Sequence, residues 1–228
     1  MSTAREAEAH RHAALLARSE LFSAFGTAVV EDIARSARVV DLRRNDVVFG
    51  EGDDADALYV VRNGRLAIAK RSPDGRESVV ALMEEGDLFG EMSLFDGEGR
   101  SAEARALEPS ELVGVPYGAI RGVLEAEPAL LWHVVRLFAR RLRVTDEALA
   151  DTVFLDVTGR TAKRLLEIAG DHDEFTLPVT QEELASMVGA SRERVNKAIA
   201  AFVRLGWLIQ TDRRYQITDR VQLTRRAT

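Results

Sequence analysis

The sequence predicts an α+β chain in three parts: a β barrel or sandwich of short strands, one long helix, and a helix pair followed by a β-hairpin. Three observations predict it. Between residues 39 and 116, short β-rich runs are broken by Gly, Asp and Asn, with turns about every 8–12 residues, as in sandwiches and barrels. Between 129 and 151 the apolar period becomes helical. From Thr180 a capping box opens one helix, and a second capped helix follows a glycine.

In chain order, residues 4–24 read as an alanine-rich helix with Leu15, Leu16, Leu21 and Phe22 as its apolar positions, and 27–36 as a second, shorter helix. The run from Leu58 to Arg62 ends at Asn63-Gly64, a dipeptide favoured in tight hairpins. The run from Leu66 to Lys70 leads to a turn at Pro73-Asp74-Gly75, and that from Ser78 to Met83 to Glu85-Gly86. In the long helix, Leu131, Val135, Phe138, Leu142, Thr145 and Leu149 are spaced 4, 3, 4, 3 and 4. That is the seam of a coiled coil, but a helix packed on its own domain gives the same spacing, and both readings stand. Thr145 is the polar member of the seam. Residues 154–159 read as a break and hinge, 160–170 as an amphipathic helix, and 171–178 as a loop with a short extended piece. The expected domains are 1–128, 129–155 and 156–228.

The 228 residues are 46% hydrophobic and 30% charged, an ordinary globular composition. No apolar run reaches membrane-spanning length. The first residues lack the apolar segment of a secretory signal, so a cytoplasmic location without membrane contact is expected. Without cysteine there is no disulfide, thiolate metal site, cysteine nucleophile or ordinary iron–sulfur cluster. No Ser/His/Asp set or metal-ligand cluster is visible, so no catalytic or metal residue is assigned and an enzyme is not expected. His10, His12, His133 and His172 all lie outside 39–116 and read as surface or helix residues. The net charge is −6 but is unevenly divided. From residue 152 onward there are 12 Lys+Arg against 10 Asp+Glu, a net of +2, and the remainder carries 19 against 27, a net of −8. Such asymmetry suggests different partners for the two halves.

The C-terminal motif points to double-stranded DNA. Thr180 and Glu183 form the capping box of a helix over 181–188, Gly189 suits a left-handed turn, and Ser191 caps a second helix over 192–205. This is a helix-turn-helix. Leu184, Ala185, Val188, Val195, Ile199 and Phe202 suit its buried side. Arg192, Glu193, Asn196 and Lys197 are left exposed at the start of the second helix, where the motif meets base edges. Arg can bond guanine twice and a carboxylate can accept from cytosine. Trp207 to Ile217 reads as a hairpin wing with Arg213 and Arg214 at its tip, near phosphates. A helical hairpin with a solvated charged face is the alternative. The candidate DNA-binding residues are Thr180, Ser191, Arg192, Glu193, Asn196, Lys197, Arg213 and Arg214.

A second motif, Phe89-Gly-Glu-Met-Ser-Leu-Phe95 followed by Arg100-Ser101, points to an anion. A glycine before a helical turn offers free N–H groups, and Arg100 adds a fork that matches phosphate oxygens. Glu91 repels phosphate but can accept from a ribose hydroxyl. The alternative is an internal Glu91–Arg100 salt bridge closing the loop.

These stretches, with Arg141-Leu-Arg-Val-Thr145, Phe154 to Arg160 and Thr180 to Glu193, resemble the bacterial cAMP receptor protein (catabolite activator) family within the CRP/FNR superfamily, over about residues 19–220. The Ser191-Arg-Glu-Arg-Val-Asn-Lys197 run is most similar to actinobacterial members. The resemblance implies a jelly-roll cyclic-nucleotide domain, a dimerisation helix and a winged helix-turn-helix. It implies a homodimeric, allosteric transcription regulator switched by cAMP, reading a two-fold GTGA-type operator and contacting RNA polymerase. Gly90, Glu91, Met92, Arg100 and Ser101 would surround the ribose and cyclic phosphate, Arg141 would support Glu91, and Thr145 and Asp146 would lie near the adenine. Asp146 stands where well-studied members carry Ser or Asn, and Lys197 where some carry Arg. A regulator acting without nucleotide, one answering another small effector and, more remotely, a jelly-roll enzyme are the competing readings.

Overall fold

Strand β3 (Ala57–Asn63) buries both of its faces, and the sheets are arranged around it. Leu58 and Val60 join one apolar cluster, while Tyr59 and Val61 face another. A strand covered on both sides reads as a nearly continuous apolar run. A computed structural model describes residues 2–72 and 77–228, with the side chains described from residue 6 onward. The expected turn at Pro73-Asp74-Gly75 lies outside the described residues.

The strands of the front module are β1 (Arg38–Leu42), β2 (Val47–Phe49), β3, β4 (Leu66–Arg71), β5 (Glu77–Met83), β6 (Leu88–Phe89), β7 (Glu103–Ala106) and β8 (Ser110–Pro116). They form two antiparallel sheets, ordered β1-β8-β3-β6 and β2-β7-β4-β5, which is the expected jelly-roll architecture. Val61, Leu66, Phe89, Ala104 and Leu112 fill the space between the sheets. The other face of the first sheet is covered by α1 (Ser2–Leu16), α2 (Thr27–Ser36), α4 (Tyr117–Ala126) and the start of α5 (Leu131–Phe154). The five-residue α3 (Met92–Asp96) lies between β6 and β7.

One expectation fails here. The helix predicted over 4–24 stops at Leu16, and Phe22–Ala24 forms a separate 3-10 turn. The Ser19 hydroxyl donates to the Leu16 carbonyl at 2.8 Å and so ends the helix. The chain then turns so that Leu16, Leu21 and Phe22 are all fully buried.

By contact density the chain divides into two units: up to Lys70 with Val80–Leu142, and Arg71–Val79 with Arg143–Thr228. In the second, α6 (Val157–Ala169) begins three residues before the expected 160, because the Asp156 side chain accepts from the Gly159 N–H and caps it. Then come β9 (Glu174–Thr176), α7 (Gln181–Val188), α8 (Arg192–Arg204), the hairpin β10 (Leu208–Thr211) and β11 (Arg214–Ile217), and α9 (Arg220–Arg226). The three strands pair in the order β10-β11-β9. Asp156 also pairs with Arg226, tying the last helix to the first of this module.

His12 is only 4% exposed on α1, and its Nε2 has no partner. Burial holds its pKa below the ordinary imidazole value, with Arg62 and Arg11 adding to the effect and Glu8 opposing it. Below about pH 6.5 the unfolded chain therefore takes up this proton more readily than the folded one. The melting temperature should lose a component as pH falls below 6.5, and His12→Gln should flatten that component in pH-resolved melts.

Candidate effector and DNA sites

Six of the candidate effector residues, Gly90, Glu91, Met92, Arg100, Ser101 and Arg141, come together near the end of β6. Gly90 has φ +78°, a left-handed conformation, and turns the chain into α3. A Cβ there would also fall 2.7 Å from the Arg100 guanidinium, so two independent constraints require glycine. The Arg100 backbone is held on both sides by the loop before β3. Its N–H donates to the Asp53 carbonyl at 2.9 Å, and its carbonyl accepts from the Gly52 N–H at 2.8 Å.

Arg100 is 4% exposed, yet no carboxylate pairs with it among the described residues. Its Nη1 donates to the Gly90 carbonyl at 2.8 Å and to the Tyr117 hydroxyl at 3.0 Å, and its Nη2 to the Ala57 carbonyl at 2.7 Å. The Phe49 ring covers the guanidinium with its centroid 4.1 Å from Cζ, a favourable cation–π position. Nε is buried and has no partner. Arg100 is thus a buried cation surrounded by neutral oxygens and aromatic faces.

Glu91, 1% exposed, takes a different partner. Arg141 from α5 donates to it at 2.5 Å, and also to the Leu88 carbonyl at 2.7 Å. Arg141 thus pairs with Glu91, and no Glu91–Arg100 bridge is found among the described residues. Met92 and Ser101 sit together at an exposed edge, with the Ser101 hydroxyl 3.5 Å from the Met92 sulfur. Thr145 and Asp146 lie about a turn beyond Arg141 on α5 and are exposed. Sequence reasoning missed Tyr117, Phe49 and the Ala57 carbonyl. They stand 17, 51 and 43 residues from Arg100 and carry no local motif.

The helix-turn-helix forms as expected. Thr180 and Glu183 complete the capping box, Gly189 is left-handed at φ +67°, and Ser191 caps α8. Thr180 and Ser191 thus both use their hydroxyls at helix starts. Arg192, Glu193, Asn196 and Lys197 are exposed on one end of α8, joined by Arg194, which was not singled out. Lys197 pairs with Glu193 at 2.6 Å, and this hydrogen bond and charge hold the exposed carboxyl below its usual pKa. At the wing, Asp212 takes φ +53°. Arg213 turns back to the Leu177 carbonyl at 3.0 Å, and Arg214 is exposed. Arg160 bonds the carbonyls of Val188 and Leu155, linking α6 to the end of α7.

Residues 39–127 match the cyclic nucleotide-binding domain and 159–226 the Crp-like helix-turn-helix domain. A CRP-like cAMP-activated global transcriptional regulator of Mycobacterium tuberculosis (strain H37Rv) is 38% identical over 220 residues, covering 93% of this chain and 98% of the relative. The chain belongs to the CRP family of transcription regulators. Among solved structures, FixK2 from Bradyrhizobium japonicum shares the fold of this CRP-family chain, with TM-score 0.76 at 21% identity over 84% of this chain and 98% of that one. Thermus thermophilus catabolite activator protein matches with TM-score 0.53 at 29% identity over 92% and 98%. In this CRP-family regulator the nucleotide-binding domain contains Glu91 and Arg100, and the DNA-binding domain contains α7 and α8.

In this CRP-family chain Gly90→Ala should weaken cyclic-nucleotide binding at least tenfold by calorimetry. Gly97→Ala is the control: it is equally left-handed at φ +74°, with open space around its Cβ. It should cost about 1–2 kcal/mol of stability at most and leave binding unchanged.

Proposed function

We propose that the protein is a homodimeric transcription regulator whose binding to a two-fold GTGA-type operator is switched by cAMP. The observation that carries the reading is the buried Arg100 guanidinium with no carboxylate partner among the described residues, beside a carboxylate that another arginine holds. A cyclic phosphodiester brings one negative charge to the first and a ribose 2′-hydroxyl to the second. Its anion would remove the cost of an uncompensated buried cation. The mycobacterial relative described as cAMP-activated supports the choice of nucleotide. An Asp146 carboxylate would also accept from the amino group of adenine, where guanine presents an acceptor.

The long helix supports the dimer. Leu130, Val134 and Leu137 are buried in the barrel's own cluster, whereas Leu131, Val135, Leu142 and Leu149, four of the seam positions, are 42–64% exposed. An exposed apolar stripe of this kind asks for a second copy. Two α8 helices about 34 Å apart would then read successive major grooves. Arg192, Glu193, Asn196 and Lys197 would read bases, with Arg214 on phosphate and RNA polymerase as the further partner. The nucleotide shifts the switch only by its differential affinity for two dimer states, typically about 1–3 kcal/mol.

Arg100→Ala should abolish cAMP-dependent operator binding in gel shifts while sedimentation still finds a dimer. An unchanged cAMP response would refute the effector assignment. Full operator binding by nucleotide-free wild-type protein would favour the nucleotide-independent reading. Arg192→Ala should cost about 1–3 kcal/mol of operator binding and relax one base position. A uniform loss over all sequences would make it a phosphate contact instead.

A further inference from the structure

We propose that Tyr117 is a positioning residue for the anion: it fixes which edge of the Arg100 guanidinium the phosphate meets. The inference rests on the reading of Arg100 as the phosphate cation. A guanidinium has five N–H donors in one plane. Both donors of Nη1 have acceptors, the Gly90 carbonyl at 2.8 Å and the Tyr117 hydroxyl at 3.0 Å. One donor of Nη2 has the Ala57 carbonyl. Two donors remain, Nε–H and the second on Nη2, and Nε is buried without a partner. These two form a fork that meets two oxygens of a single anion.

The hydroxyl of Tyr117 is itself oriented. It donates its own proton to the Gly90 carbonyl, which turns its oxygen lone pair toward Nη1. Tyr117 is 7% exposed, and burial raises its pKa, so it remains a neutral hydroxyl and acts as an acceptor rather than a competing anion. Phe49 lies over the guanidinium face and limits tilting. Rotation within the plane is then opposed by the Nη1 and Nη2 contacts, and of these only Tyr117 contributes through a side chain. Without its hydroxyl, Nη1 gains a free donor and a second edge can compete for phosphate.

The two exocyclic oxygens of a cyclic phosphodiester are distinguishable, so the test uses cAMP and the two diastereomers in which sulfur replaces one or the other. The wild-type protein should prefer one diastereomer. Tyr117→Phe should weaken cAMP binding on the order of tenfold, the value of a hydrogen bond to a charged group, and bring the diastereomer ratio toward one. A fluorinated tyrosine at 117 keeps the ring and hydroxyl, weakens the acceptor, and should fall between the two. An equal loss for all three nucleotides, no loss, or no discrimination by the wild-type protein overturns the inference. Arg100→Ala run in parallel separates the failures. If it still binds cAMP, the site reading falls. If it does not, and Tyr117→Phe keeps the ratio, only the role of Tyr117 falls.

Discussion

A buried positive charge with no carboxylate partner among the described residues is the constraint around which the nucleotide-binding module is organised. Taking a guanidinium out of water is costly unless its donors find acceptors. Arg100 meets that requirement with two backbone carbonyls, one hydroxyl and an aromatic face. Each of these comes from a different element: the turn after β6, the start of β3, the start of α4 and the end of β2. The Gly90 conformation and the loop at Gly52 and Asp53 follow from the same demand, since both bring main chain to the arginine. Glu91 is only one residue from Gly90, yet it pairs with Arg141 and not with the Arg100 cation.

The long helix divides its apolar residues between two stripes offset by one position. Leu130, just ahead of its first residue, with Val134 and Leu137, completes the core under the first sheet. Leu131, Val135 and Leu142 face away from it, and Phe138 lies between the two, edge-on to Phe95 at 5.5 Å. A helix of this pattern is apolar over more of its circumference than one domain can cover.

Much of the architecture was legible because its signals are local. The Thr180–Glu183 capping box, Gly189 and Ser191 set the ends of α7 and α8 within a residue. The Asn63-Gly64 turn and the short β-rich runs on either side of it located strands β3 and β4. The break after Leu16 was not legible, because a serine hydroxyl ends that helix and the burial of Phe22 redirects the chain, against favourable alanine propensity. Nor could spacing decide between a Glu91–Arg100 bridge and an open cation, since the deciding residue, Arg141, is 50 positions away from Glu91. Tyr117 follows an ordinary strand end, and Ala57 acts through its carbonyl, so no residue type announces either. Arg213 was legible as basic and exposed, but not as bonded to the Leu177 carbonyl.

The grip on Arg100 also bears on how this module tolerates genetic drift. Two of its three oxygens belong to the main chain at Ala57 and Gly90. No codon change at position 57 deletes a carbonyl, so that anchor survives replacement of its own side chain as long as the strand holds. Variation among descendants of this chain should therefore be read at these contacts by backbone path rather than by residue identity, with Tyr117 the one oxygen that a single nucleotide change could remove.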